Sequence, residues 1–134
     1  MAAGRQAKGR AAAGGPREAV LEGPRFARAL ARGLDEGKAE RVRVLDVRGL
    51  TDVADFLVIA TALSERQLAA LAAAAEAVVE SSGRTHLATE GTGASGWMVV
   101  DTGEVVTHLL TREARSYYDL DGLWADAKVL DPLP

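Results

Sequence analysis

The sequence contains no cysteine. Thiol nucleophiles, disulfide staples and cysteine-ligated zinc are excluded together. The absence fits a reducing compartment, and a cytoplasmic protein is expected. Aromatic residues are scarce, with two each of Trp, Tyr and Phe, so each one present invites a question about its job. No apolar run approaches the roughly 20 residues that span a bilayer, so no membrane segment is expected. The first residues are basic but no leucine-rich stretch follows them, and no secretory leader is expected either. His86 and His108 are the only histidines. Neither has a neighbour at metal-ligand spacing, and two histidines alone make a poor zinc site.

What remains is a chain of 134 residues, enough for one domain with one core. A chain of this size buries roughly two thirds of its surface and needs no metal or disulfide to fold. Net charge is -3, unevenly spread. Residues 1–23 hold Arg5, Lys8, Arg10 and Arg17 against Glu18 and Glu22, whereas residues 84–134 hold four basic and eight acidic side chains. An acidic module repels phosphate backbones, so if it acts on a ribonucleoprotein a basic protein there is the expected partner rather than bare RNA. Ordinary solubility charge accounts for the imbalance equally.

Residues 1–23 are rich in Ala, Gly and Arg and read as a disordered tail, too poor in apolar surface to offset chain entropy. Residues 24–128 read as one α/β domain and residues 129–134 as a C-terminal tail. Pro24 is expected at the first helical position, where its missing N–H costs nothing. Phe26, Leu30 and Leu34 then form one stripe, and Gly37 ends the helix. Residues 41–47 alternate as a strand, and residues 55–61 are continuously apolar, as in a strand covered on both faces. Ser64-Glu65-Arg66-Gln67 is a capping box for an alanine-rich helix over 65–82, closed by Gly83. Residues 84–89 are a possible short strand. Residues 97–101 and 104–110 form a hairpin around Thr102-Gly103. A last helix over about 112–128 breaks near Asp119. The order α-β-β-α-β-β-β-α gives a mixed sheet covered by helices.

Several patterns suggest chemistry. Gly91-Thr92-Gly93-Ala94-Ser95-Gly96 matches G-x-G-x-x-G, but it runs into a strand. A dinucleotide site needs a helix there, with its N-terminus facing the pyrophosphate. A flexible loop is the expectation. Asp46, Asp52 and Asp55 flank adjacent strands, where paired acids can hold Mg²⁺ for phosphoryl transfer, yet no phosphate loop accompanies them. Loop hydrogen bonds or strand capping account for Asp52 and Asp55. His108 lies within a strand and reads as a buried, hydrogen-bonded structural histidine. Ser64 has nothing to activate it beyond its capping role. No catalytic, cofactor or metal site is expected. Trp97 stands apart: at the entrance of the hairpin it is either core or interface anchor, Trp being among the commonest hot-spot residues. Asp101, Thr102, Gly103 and Glu104 at the hairpin tip read as a compact acidic knob beside it.

Three segments in register resemble the ribosomal silencing factor (Iojap-like) family. They are Val44–Leu50 with Ala54–Thr61 and Ser64–Gln67; Glu90-Gly91 with Gly96–His108; and Arg115–Trp124. The resemblance covers residues 24–128. It implies a nucleotidyltransferase-like α/β fold without that fold's catalytic loop, and a non-enzymatic role. It further implies binding to the large ribosomal subunit through its fourteenth protein. Such binding would block an intersubunit bridge, keep the subunits apart and repress translation. Trp97 would be the apolar anchor of that contact, with Asp101, Thr102, Gly103 and Glu104 beside it. A homodimer of the free protein belongs to the same set of implications. The chain departs from the family pattern at Ala62 (usually Gly), Thr102 (a larger apolar residue), Thr107 (Val) and Gly122, which sits inside a helix. Two alternatives are a metal-dependent nucleotidyltransferase using Asp46, Asp52 or Asp55, and an RNA-binding ribosome-assembly module led by the basic tail.

Overall fold

The computed structural model describes residues 20–86 and 88–130. Most of the expected N-terminal tail, and residues 131–134 of the C-terminal one, lie outside the described residues. The elements in chain order are α1 (Gly23–Glu36), β1 (Glu40–Asp46), β2 (Phe56–Ala62), α2 (Glu65–Ser81) and β3 (Ala88–Glu90). A 3₁₀ turn (Gly93–Ser95) follows, then β4 (Trp97–Asp101), β5 (Val105–Thr111), α3 (Arg112–Tyr118), α4 (Leu120–Leu123) and β6 (Lys128–Val129). The strands form one six-stranded sheet in the order β3-β4-β5-β2-β1-β6. Only β2 and β5 pair in parallel; the other neighbours are antiparallel. The expected mixed α/β sheet is therefore present.

β2 is central and all seven of its residues are buried, as its unbroken apolar run requires. Alternate residues point to opposite faces. Val58 and Ala60 meet α1 and α2 on one side, in a core with Phe26, Leu30, Leu34, Leu68 and Leu71. Leu57 and Ile59 meet a smaller cluster on the other side, with Leu45, Leu110 and Leu120. Ser64 caps α2 as expected, its Oγ accepting from Gln67 N–H at 3.0 Å. The return bond differs: Gln67 Oε1 accepts from the N–H of Leu63, at 2.6 Å, rather than from Ser64. Its amide nitrogen also donates to the carbonyls of Gly37 and Lys38, so one side chain ties the start of α2 to the end of α1.

Both domain edges extend further than the sequence reading placed them. Leu21 packs on the core and its N–H donates to the Ser82 carbonyl. Pro24 is the second helical residue, because Gly23 enters the helix with φ +59°. At the other end α4 stops at Leu123, and Lys128–Val129 then pair with β1 as an edge strand. Leu130 follows, its N–H bonded to the Val44 carbonyl. A two-residue strand has no room for an alternation that sequence could reveal.

Arg115, only 2% exposed, is the largest fully buried side chain. Its guanidinium donates to both oxygens of Asp121 at 3.0 Å, to Thr61 Oγ1 at 3.0 Å and to the Arg41 carbonyl at 2.6 Å. Asp121 also takes a 2.6 Å ion pair from Arg43. The Arg115 bonds, then burial opposing them, hold the Asp121 carboxyl well below the ordinary carboxylate range. This network docks α3 and α4 on β1 and β2. Gly122 is explained here too: the Asp119 carboxylate caps its N–H at 3.1 Å and occupies the space a Cβ would need.

Candidate partner-binding face

In β4, Met98 and Val100 turn toward α1 and α2, so Trp97, Val99 and Asp101 turn the other way. Cross-strand pairing sets Leu110, His108 and Val106 opposite them on one flank, with Glu90 and Ala88 opposite Val99 and Asp101 on the other. On this face α3 and α4 cover the β1-β2-β5 side. The β4 margin stays half-open, and Trp97 and Val99 are only partly buried against the smaller cluster. Trp97 is thus neither wholly core nor wholly surface.

Its ring is held on two sides. The indole Nε1–H donates to His108 Nδ1 at 3.1 Å. Tyr118 packs on the ring with centroids 4.6 Å apart, and Tyr117 meets Tyr118 edge-on at 5.0 Å. The two tyrosines are 51% and 81% exposed. Burial pushes the His108 imidazole down to about 4, against the opposing pull of the Asp101 charge. His108 is therefore neutral at physiological pH. With Nδ1 accepting, its proton sits on Nε2. The expected hydrogen bond is present, but the histidine is partly rather than fully buried.

The expected acidic knob beside Trp97 is not what forms. Trp97 and Asp101 stand at opposite ends of β4, about 13 Å apart at the strand rise of roughly 3.3 Å per residue. Asp101 Oδ1 accepts from the N–H of Gly103, which turns with φ +86°. Thr102 is buried, with its hydroxyl on the Val105 carbonyl at 2.9 Å, so its departure from the family pattern falls inside the fold. Glu104 is committed elsewhere: it accepts from the first N–H of α1, at Gly23 (2.9 Å), and pairs with Arg84 at 2.7 Å. Of the tip residues, Asp101 alone shares the Trp97 face. Glu90, exposed on β3, supplies a second carboxylate there that the sequence reading missed.

Other candidates resolve as structure. The Gly-rich segment is a hydrogen-bonded turn rather than a loose loop: Thr92 and Ser95 form a reciprocal capping box. Gly91 has φ +89° and Gly93 lies against the Glu65 backbone, so neither site has room for a side chain. Asp46 is bonded to Arg48 through both oxygens, which lowers its carboxyl from the ordinary value. Asp52 and Asp55 are exposed. His86 shares Thr89 Oγ1 at 2.8 Å, and Thr89 in turn donates to Glu76. Among the described residues, no three acidic or histidine side chains gather as a metal site would require. No described helix is long and apolar enough to cross a membrane. A shallow groove of about 760 Å³ opens at the far ends of β2 and β5. Leu63, Ser64, Glu65, Thr111 and Tyr118 are among its lining residues, so Tyr118 joins groove and Trp97 face. Sequence reasoning passed over Tyr117-Tyr118. In a chain with two tyrosines, their adjacency was the available signal.

Comparison with known proteins gives the lineage of this fold. The family model described as "Ribosomal silencing factor during starvation" matches residues 21–133. The chain belongs to the ribosomal silencing factor family. Ribosomal silencing factor RsfS of Halalkalibacterium halodurans is 35% identical over 98 residues, covering 73% of this chain and 84% of that one. The chloroplastic protein Iojap of Zea mays is 30% identical over 124 residues, 88% of this chain and 54% of the relative. Among solved structures, a crystal structure of a protein from Chromobacterium violaceum superposes with TM-score 0.75 at 30% identity, covering 78% of this chain and 88% of the other. One from Bacillus halodurans gives 0.68 at 30% identity, covering 78% and 95%. The silencing-factor match begins at Leu21, whose N–H is bonded to the Ser82 carbonyl at the end of α2.

Proposed function

We propose that this silencing-factor chain represses translation sterically. It binds the large ribosomal subunit through the fourteenth protein of that subunit, covers an intersubunit bridge and prevents the small subunit from joining. No chemistry is required, because the bound domain acts by occupying space. The same reading takes the scaffold as nucleotidyltransferase-like without its catalytic loop, and places the protein in the cytoplasm.

The observation that carries it is the half-open sheet margin around Trp97. A tryptophan packed against an exposed tyrosine, with Glu90 on the same face and Asp101 at the far end of β4, has the makeup of a hot spot with an acidic rim. Its complement is an apolar patch edged with Lys or Arg. The test is co-sedimentation with purified large subunits, with small subunits added as competitors. Binding to large subunits alone, exclusive of joining and weakened by about 2 kcal/mol or more in Trp97→Ala, is the expected result. Binding that leaves joining untouched would sink the steric reading.

A further inference from the structure

The Trp97 ring is presented to solvent by contacts within the protein rather than by its own preference. Two contacts of the indole matter here. The Nε1–H is spent on His108 Nδ1, and one ring face is spent on Tyr118. His108 stands on β5 directly opposite Val99, two pairs along from Trp97 and Leu110 and on the same face. The two rings lie at a 50° tilt with centroids 5.8 Å apart, so the hydrogen bond crosses diagonally between strands. His108 is partly buried and has no other side-chain hydrogen bond among the described residues.

We infer that His108 is the positioning residue of the Trp97 anchor: it fixes the indole in one orientation and removes its only hydrogen-bond donor from the docking surface. This rests on the reading of Trp97 as the partner anchor. A chemical consequence follows for the partner. With Nε1–H satisfied internally, Trp97 offers ring surface and no donor. The partner group that meets it is then an aliphatic side chain or a guanidinium lying on the ring, not a carbonyl or carboxylate seeking the N–H. Holding the ring before contact also spares the ordering that an interface side chain otherwise undergoes on binding.

The test separates acceptor from bulk. Asparagine places Oδ1 close to where Nδ1 of histidine sits, so His108→Asn keeps the acceptor. His108→Leu keeps bulk without an acceptor, and His108→Gln moves the acceptor to the Nε2 position. In ¹⁵N spectra, with Trp124→Phe to assign the indole signals, the Trp97 Nε1–H is expected to exchange slowly in the natural protein and in His108→Asn. It is expected to exchange rapidly in His108→Leu and His108→Gln. In large-subunit binding, the Leu and Gln variants should lose about five-fold, the worth of one net hydrogen bond. The Asn variant should stay within about two-fold, and no variant should add a loss in a Trp97→Ala background. Equal exchange in all variants, or equal binding in all while Trp97→Ala is impaired, would overturn the inference. A Trp97→Ala protein that binds normally would instead overturn the docking reading, leaving the exchange experiment to decide the role of His108. Thermal melts identify any variant that fails to fold, and the Asn–Gln pair remains informative if the Leu protein is lost.

Discussion

The two faces of the sheet are built to different standards. Toward α1 and α2, β1, β2, β4 and β5 contribute buried apolar residues, and Phe26, Leu30, Leu34, Leu68 and Leu71 close over them with at most 1% exposure. Toward α3 and α4 the cover is one seven-residue and one four-residue helix, pinned by the Arg115–Asp121 network. That cover reaches β4 only at its start, where Tyr118 packs on Trp97. The first face buries its apolar surface fully, whereas the second leaves Trp97 and Val99 only partly buried. The difference lies in how far short helices can reach.

Four measurements sharpen that contrast. Phe56→Ala removes a large side chain with 1% exposure from the helix-covered face. It should cost about 4 kcal/mol in chemical denaturation, while Val99→Ala on the open face should cost about 1 kcal/mol or less. Equal losses would erase the distinction. Asp121→Ala leaves the buried Arg115 guanidinium without its carboxylate and should cost about 3 kcal/mol; a near-neutral result would mean that α3 and α4 are not held by this pair.

The pH dependence comes from the open face. His108 has a folded value of about 4, below the ordinary 6.5. Between these values the unfolded chain binds the proton and the folded one does not. Stability from this group is therefore complete above about pH 6.5 and is lost as pH falls toward 4, by at most about 3 kcal/mol. His108→Asn should flatten that window. An unchanged slope would show that His108 does not titrate as its burial dictates. The smallest effect belongs to the covered face. Thr107 is fully buried and its hydroxyl has no hydrogen-bond partner. Thr107→Val keeps the shape, removes the unsatisfied oxygen and should raise stability by about 1 kcal/mol in the same denaturation assay. A loss instead would mean that the hydroxyl has found a partner.

Patterns of local origin were readable in the sequence. The stripe of α1, the unbroken apolar run of β2, the Ser64 cap and the break at Asp119 each depend on neighbours within a few residues. The candidate site was readable only in part. Trp97 was singled out for its place after a Gly-rich loop at the entrance of a hairpin, and Asp101 as part of the acidic hairpin tip. Glu104 was put in the wrong company, because its partners Gly23 and Arg84 are 81 and 20 residues away. Glu90 and Tyr118 were missed, since strand pairing and ring stacking alone bring them near Trp97.

The sequence by itself determined the family, the order of most elements and the covered face, because periodicity, capping and apolar runs act over one or two turns of chain. Tertiary structure alone decided that Thr102 is interior, that Glu104 caps α1, that Arg115 is a buried tie and that Trp97 is held by His108. Each of these depends on which distant residue arrives within about 3 Å, a matter of register and packing that no local pattern encodes.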